Sequence, residues 1–218
     1  MLKAVIFDLD GTLANTISAI REGINATMRH YGYPEHTDEE VLSFINNGAR
    51  MLIKRSMPAE VRQDEELVSR VLADYDVAYG EVYHHTDTTY PGIPQLLRDL
   101  RARGLRIGVL SNKQDPFVRA LAEQLIPGLY DVAQGAIHGE PTKPHPYLSN
   151  RVCDALGVSA AECAMVGDSD VDVRTAQEAG MTHVGVSWGF RSVELLREAG
   201  AVRIANDTAE LFEILTSL

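Results

Sequence analysis

The chain has 218 residues, 45% of them hydrophobic, a formal net charge of -11 and two cysteines. That length can bury one large domain, or a core with a smaller attached one. The acidic balance argues against nucleic acid and anionic membranes as partners, because both need clustered Lys and Arg. Two cysteines, Cys153 and Cys163, exclude a disulfide scaffold and fit a reducing, cytoplasmic setting. No leader-like segment and no apolar run of membrane-spanning length is expected.

The first predicted element is a buried strand, Ala4–Phe7, read from its unbroken apolar run. It ends in Phe7-Asp8-Leu9-Asp10-Gly11-Thr12-Leu13, with two carboxylates one residue apart and a glycine that lets the chain turn. Parallel strands commonly carry reactive groups at their carboxyl ends. An unpaired buried carboxylate is costly, so two acids there hold a metal, do chemistry, or both. A calcium loop of the EF-hand type does not fit. It needs glycine at the sixth position and glutamate at the twelfth; here glycine is fourth and Ala19 is twelfth, counting from Asp8.

From 16 to 85 no strand is predicted. Apolar residues recur at helical spacing: Ile17, Ile20, Ile24 and Met28, then Val41, Leu42 and Ile45, then Leu52 and Ile53, then Leu67, Val71, Tyr75 and Val82. Asn15 or Thr16 can cap the first helix, and Thr37 or Asp38 the second. The segment is a helical insert placed directly after the double-aspartate loop. It reads as a lid over the site rather than as a subdomain that adds only stability.

Beyond 86 the pattern alternates. Strands are predicted at Leu105–Leu110, Tyr130–Gln134, Cys163–Val166 and Thr182–Val186, and helices at Ile93–Arg103, Pro116–Gln124, Tyr147–Leu156, Asp170–Ala179, Val193–Ala199 and Thr208–Leu215. This is the signature of an α/β fold: a Rossmann-like parallel sheet flanked by helices, built from 1–15 and 86–218, with 16–85 inserted.

Three stretches near strand ends carry further chemistry. Ser111-Asn112-Lys113 follows an apolar strand; alone Ser111 reads as a helix cap, yet a hydroxyl and neighbouring N–H groups also suit a phosphoryl oxygen. Lys143 precedes Pro144, which restricts its backbone, and can place a point charge on a phosphate. His145 is given no chemistry. Gly167-Asp168-Ser169-Asp170-Val171-Asp172 crowds three acids into five residues, which repel unless a cation is present. Asp168 is well placed to join Asp8 at one hard cation, and such oxygen ligands suit magnesium.

Taken in order, Asp8-Leu9-Asp10-Gly11-Thr12, Ser111, Lys143 and Gly167–Asp172 resemble the four motifs of the haloacid dehalogenase-like hydrolase superfamily, and the insert resembles its type-one cap. Within that superfamily the chain is most similar to bacterial phosphoglycolate phosphatases, through Asn46-Asn47-Gly48-Ala49-Arg50-Met51-Leu52-Ile53 and Ser187-Trp188-Gly189-Phe190-Arg191-Ser192. Two departures stand out. Asn15-Thr16 replaces a common Asp-Ser, and Asn46 replaces the first glycine of a Gly-Asn-Gly loop.

The resemblance implies magnesium-dependent hydrolysis of a small-molecule phosphate monoester, phosphoglycolate-like, through an aspartyl-phosphate. Asp8 would be the nucleophile and Asp10 the general acid and base. Mg2+ would be held by Asp8, the Asp10 carbonyl and Asp168, with Asp172 in support. Thr12, Ser111, Asn112 and Lys143 would bind the phosphoryl group or steady the loop that does. Asn47, Gly48 and Arg50 would line the cap side, where Arg50 either meets a substrate carboxylate or stays solvated. Dehalogenating relatives lack the second aspartate because a halide needs no proton, so Asp10 argues for phosphate. The alternatives are a phosphomutase of the β-phosphoglucomutase kind, a pyrophosphatase, a sugar-phosphate phosphatase, or a binding protein on a retired enzyme fold. A monomer or homodimer is expected.

Overall fold

The four residues of β1, Ala4–Phe7, are apolar without interruption, and each is fully buried in the computed structural model, which describes residues 1–218. Next come the helices α1 (Ile17–His30), α2 (Asp38–Phe44), α3 (Gly48–Ser56) and α4 (Glu65–Val82). Alternation follows: α5 (Ile93–Ala102), β2 (Arg106–Gln114), α6 (Asp115–Leu125), β3 (Val132–Ala136), α7 (Tyr147–Leu156) and β4 (Cys163–Gly167). The chain ends with α8 (Asp170–Ala179), β5 (Thr182–Val186), α9 (Val193–Glu198), β6 (Ile204–Ala205) and α10 (Thr208–Thr216). Two compact units result, Met1–Asn15 with Thr88–Leu218, and Thr16–Asp87. No helix is long and apolar enough to cross a membrane.

The first unit holds a six-stranded, all-parallel sheet in the order β3-β2-β1-β4-β5-β6. A strand buried on both faces has no polar side to present, which is why β1 reads as a solid apolar run. Ala4 and Ile6 point into a cluster with Leu110, Cys163 and Met165 from neighbouring strands, closed by Leu148, Val152, Cys153 and Leu156 of α7 and Ala176 of α8. The chain passes from the centre of the sheet outward in both directions, so β1 and β4 meet where the order reverses. Ligands of open parallel sheets bind at that reversal, outside the carboxyl ends of the strands.

Two features of the sheet differ from the sequence reading. β2 does not stop at Leu110 but continues through Ser111, Asn112 and Lys113 to Gln114. After an irregularity in its register with β3, pairing resumes at Gln114 with Ala136. Ser111 is therefore a strand residue and caps no helix; α6 starts at Asp115, with Pro116 in its first turn, where a missing N–H costs nothing. β6 is only two residues long, paired to Gly185 and Val186, too short to leave a periodic signal.

The helical unit is organised by α1 against α4. Ile17, Ile20, Ile24 and Met28 are buried on α1, and Val68, Val71, Tyr75 and Tyr79 on α4. The α4 stripe is therefore displaced from the expected Leu67–Val82 series at both ends. Thr37 caps α2 in a reciprocal pair with Glu40, an arrangement whose loss typically costs about 1 kcal/mol. Thr16 stands at the N-cap of α1 without a side-chain cap bond.

Candidate active site

Parallel register decides which side chains meet. Phe7 lies level with Val109 of β2 and Val166 of β4, and the Asp8 N–H donates to the Val166 carbonyl at 2.9 Å. Asp8 therefore leaves β1 beside the end of β4, while β2 runs on past it to Gln114. Its Oδ1 accepts from the Leu9 N–H at 2.8 Å and lies 3.0 Å from Lys143 Nζ. Burial pushes the Asp8 carboxyl well above its ordinary value; Lys143 pulls it back, while Asp172, Asp168 and Asp10 push it further up.

Lys143 is buried between two carboxylates. Its Nζ is 2.7 Å from Asp172 Oδ1 as well as 3.0 Å from Asp8. Burial opposes the ammonium charge, but Asp172 and Asp8 together outweigh it and hold its pKa above the usual lysine value. Asp172 is placed by the start of α8. Ser169 and Asp172 form a reciprocal cap, with the Ser169 N–H and Oγ donating to Asp172 Oδ2 at 3.1 and 2.6 Å. One oxygen of Asp172 thus serves the helix end and the other serves Lys143. The Asn112 side chain spans the Lys143 backbone: its Nδ2 donates to the Lys143 carbonyl at 2.9 Å and its Oδ1 accepts the Lys143 N–H at 2.8 Å. It positions the lysine.

Asp168, at the end of β4, is almost fully buried. The Thr12 hydroxyl donates to its Oδ1 at 3.1 Å and the Phe190 N–H to its Oδ2 at 2.7 Å. Burial first, then Asp172, pushes its pKa up to about 7 against those two hydrogen bonds. Gly11 has φ +83°, and a Cβ there would sit 2.5 Å from Asp168 Oδ2. The turn and the close approach both need a residue without a side chain. Thr12 is thus tied to the aspartate.

Asp10 faces the other way. Its Oδ2 accepts from Ser111 Oγ at 3.3 Å, and its Oδ1 lies 2.9 Å from Lys113 Nζ. Lys113 is the residue that sequence reasoning missed. A lysine is usually solvated, and the local sequence carries no sign that Lys113 is buried. Tyr90 also adjoins the acids: burial, then Asp168 and Asp10, push its phenol up to about 12. Asp170 does not join the cluster, since it pairs with Arg174 one turn along α8 at 2.7 Å.

Carboxylate oxygens of Asp8, Asp168 and Asp172 lie within 4.8 Å of one another and are all buried. Their donor set is hard oxygen only, which suits Mg2+ or a similar cation. Charge agrees: four carboxylates (Asp8, Asp10, Asp168, Asp172) face two ammonium groups (Lys113, Lys143). The buried aspartate cluster is able to hold a divalent metal.

In the helical unit, Asn47 and Gly48 open α3. Asn46 has φ +85°, a left-handed conformation that favours the glycine it replaces. Arg55 holds this loop, donating to the Phe44 carbonyl and to Asn47 Oδ1 at 2.8 Å each. Arg50 is engaged within the unit: it pairs with Glu65 and donates to Ser69 Oγ at 3.1 Å.

Comparison with known proteins agrees with this geometry. Residues 5–186 match the model of the haloacid dehalogenase-like hydrolases. The chain is 35% identical to a phosphoglycolate phosphatase of Rhodospirillum rubrum, over 97% of this chain and 90% of the relative. It is 33% identical to one of Chromobacterium violaceum, over 98% and 96%. A crystal structure from Lactobacillus delbrueckii superposes with a TM-score of 0.89 at 30% identity, covering 98% of both chains. The family match includes the loops that carry the buried acids, and the chain belongs to the haloacid dehalogenase-like hydrolases.

Proposed function

We propose that this chain, a phosphatase of that family, hydrolyses small-molecule phosphate monoesters with Asp8 as nucleophile, and that 2-phosphoglycolate is the first substrate to test. The carrying observation is the placement of Asp8 beside buried Lys143 and Asp168, with Asp10 held apart on Lys113 and Ser111. The names of the relatives support the choice of ester.

In the first step an Asp8 oxygen attacks phosphorus and the bond to the ester oxygen breaks. The leaving oxygen takes a proton from Asp10, and an aspartyl-phosphate remains. In the second step Asp10 takes a proton from water, whose oxygen attacks phosphorus; the bond to Asp8 breaks and inorganic phosphate leaves. Lys143 and Ser111 neutralise and hydrogen-bond the phosphoryl oxygens. Mg2+ held by Asp8, Asp168 and the Asp10 carbonyl would supply positive charge against the phosphoryl group. Two acids are needed because one carboxylate cannot be nucleophile and proton donor in one step. Asn47, Gly48 and Arg50 are assigned the choice of ester, and the two free thiols fit a cytoplasmic setting.

The test is a panel of phosphorylated metabolites, pyrophosphate and β-glucose 1-phosphate among them, incubated with the protein and Mg2+ and read as released phosphate. Release from 2-phosphoglycolate well above that of an Asp8→Asn control is expected. Equal release from both proteins rejects the reading, and turnover that requires a sugar bisphosphate activator points to phosphoryl transfer instead.

A further inference from the structure

Three hydrogen bonds form a chain that closes on Asp168. The Trp188 indole N–H donates to the Thr12 carbonyl at 3.1 Å. The Thr12 hydroxyl donates to Asp168 Oδ1 at 3.1 Å. The Phe190 N–H donates to Asp168 Oδ2 at 2.7 Å. Trp188 and Phe190 are separated only by Gly189, so the circuit begins and ends in one short loop.

The loop is seated there by the sheet. It follows β5, whose Val184 and Gly185 lie level with Val166 and Gly167 of β4. The fit leaves no slack: a Cβ on Gly189 would lie 2.2 Å from Asp168 Cβ and 2.5 Å from the Gly11 carbonyl oxygen. A partly buried indole N–H generally finds some acceptor, so its bonding alone says little. The acceptor here is informative. It is the backbone of the residue whose own side chain holds Asp168.

We propose that Trp188 is a positioning residue for Asp168, acting through Thr12, so that the loop after β5 fixes the plane in which Asp168 offers its oxygens to a divalent cation. A carboxylate gripped at one oxygen can still rotate; gripped at both, it cannot. Groups behind a metal ligand commonly change metal affinity about 10- to 100-fold when removed. This inference rests on reading Asp168 as a metal-binding carboxylate.

The experiment is calorimetric titration of the metal-free protein with Mg2+, alongside thermal midpoints and steady-state kinetics on p-nitrophenyl phosphate. Trp188→Phe keeps an aromatic ring and removes the N–H. We expect Mg2+ to bind roughly tenfold more weakly, with KM at saturating Mg2+ little changed. Thr12→Val should give a loss of similar size. The double variant should be no weaker than the worse single one, because the two act in series. Because the chain has one tryptophan, global replacement by a benzothienyl analogue, with sulfur in place of the N–H, repeats the test without a change of ring size. Wild-type Mg2+ affinity in Trp188→Phe or in the analogue protein overturns the proposal, and so do losses that multiply in the double variant. Asp168→Asn is the control on the underlying reading: wild-type Mg2+ affinity there rejects Asp168 as a ligand, and the positioning role with it.

Discussion

Lys113 Nζ and Asp10 Oδ1 lie 2.9 Å apart, both largely shielded from water. Residues of the second strand and of the loop after the first thus hold one another at the edge where the acids gather. Removing one partner of a shielded ion pair leaves the other without compensation. Lys113→Met should lower kcat about 10- to 100-fold by freeing Asp10, a size typical of a misplaced general acid. The measurement is kinetic: Lys113→Met combined with Asp10→Asn should be no slower than Asp10→Asn alone. A further multiplicative loss would mean that the lysine acts elsewhere.

Asp8→Asn should reduce turnover by about four orders of magnitude or more, as loss of a nucleophile does. Asp10→Asn should slow it by roughly 10²–10⁴. Neither should unfold the protein. Burial and three neighbouring acids make the charged form of Asp8 costly, so Asp8→Asn in EDTA should melt no lower than the wild type. A clear fall in its melting temperature would show that the Lys143 pairing outweighs that repulsion.

Chelation should silence the enzyme and Mg2+ should restore it. The same addition should raise the melting temperature, because a ligand that binds only the folded state stabilises it, by about 2.7 kcal/mol at a hundred times Kd. Activity indifferent to EDTA would remove the metal from the mechanism.

His183 on β5 makes a prediction about stability and pH. Both ring nitrogens are shielded from water and lack a hydrogen-bond partner. Burial lowers its pKa from 6.5 to about 4, slightly countered by Asp172. Between those values the unfolded chain binds more protons than the folded one, so stability falls as pH drops from 6.5 towards 4 and is unaffected by this group above that window. The loss amounts to roughly 2–3 kcal/mol at the lower end. His183→Leu should flatten this stretch of the stability curve measured by urea unfolding at pH 4.5 and 7. An unchanged slope would place the acid sensitivity elsewhere.

The alternation of apolar runs with amphipathic stretches was enough to read the parallel sheet, the helical insert and the acids at strand ends, because each is a local pattern with its own period. Local pattern paired Asp8 with Asp168, and only the resemblance to family motifs implied that Lys143 joins them. Neither could assign the other contacts. That Lys113 turns inward to Asp10, that Asn112 spans the Lys143 backbone, and that Trp188 reaches Thr12 across 176 positions follow from strand order and register. Those bring together residues whose neighbours in the chain carry no trace of the contact, so only the folded arrangement of the sheet decides which charge meets which.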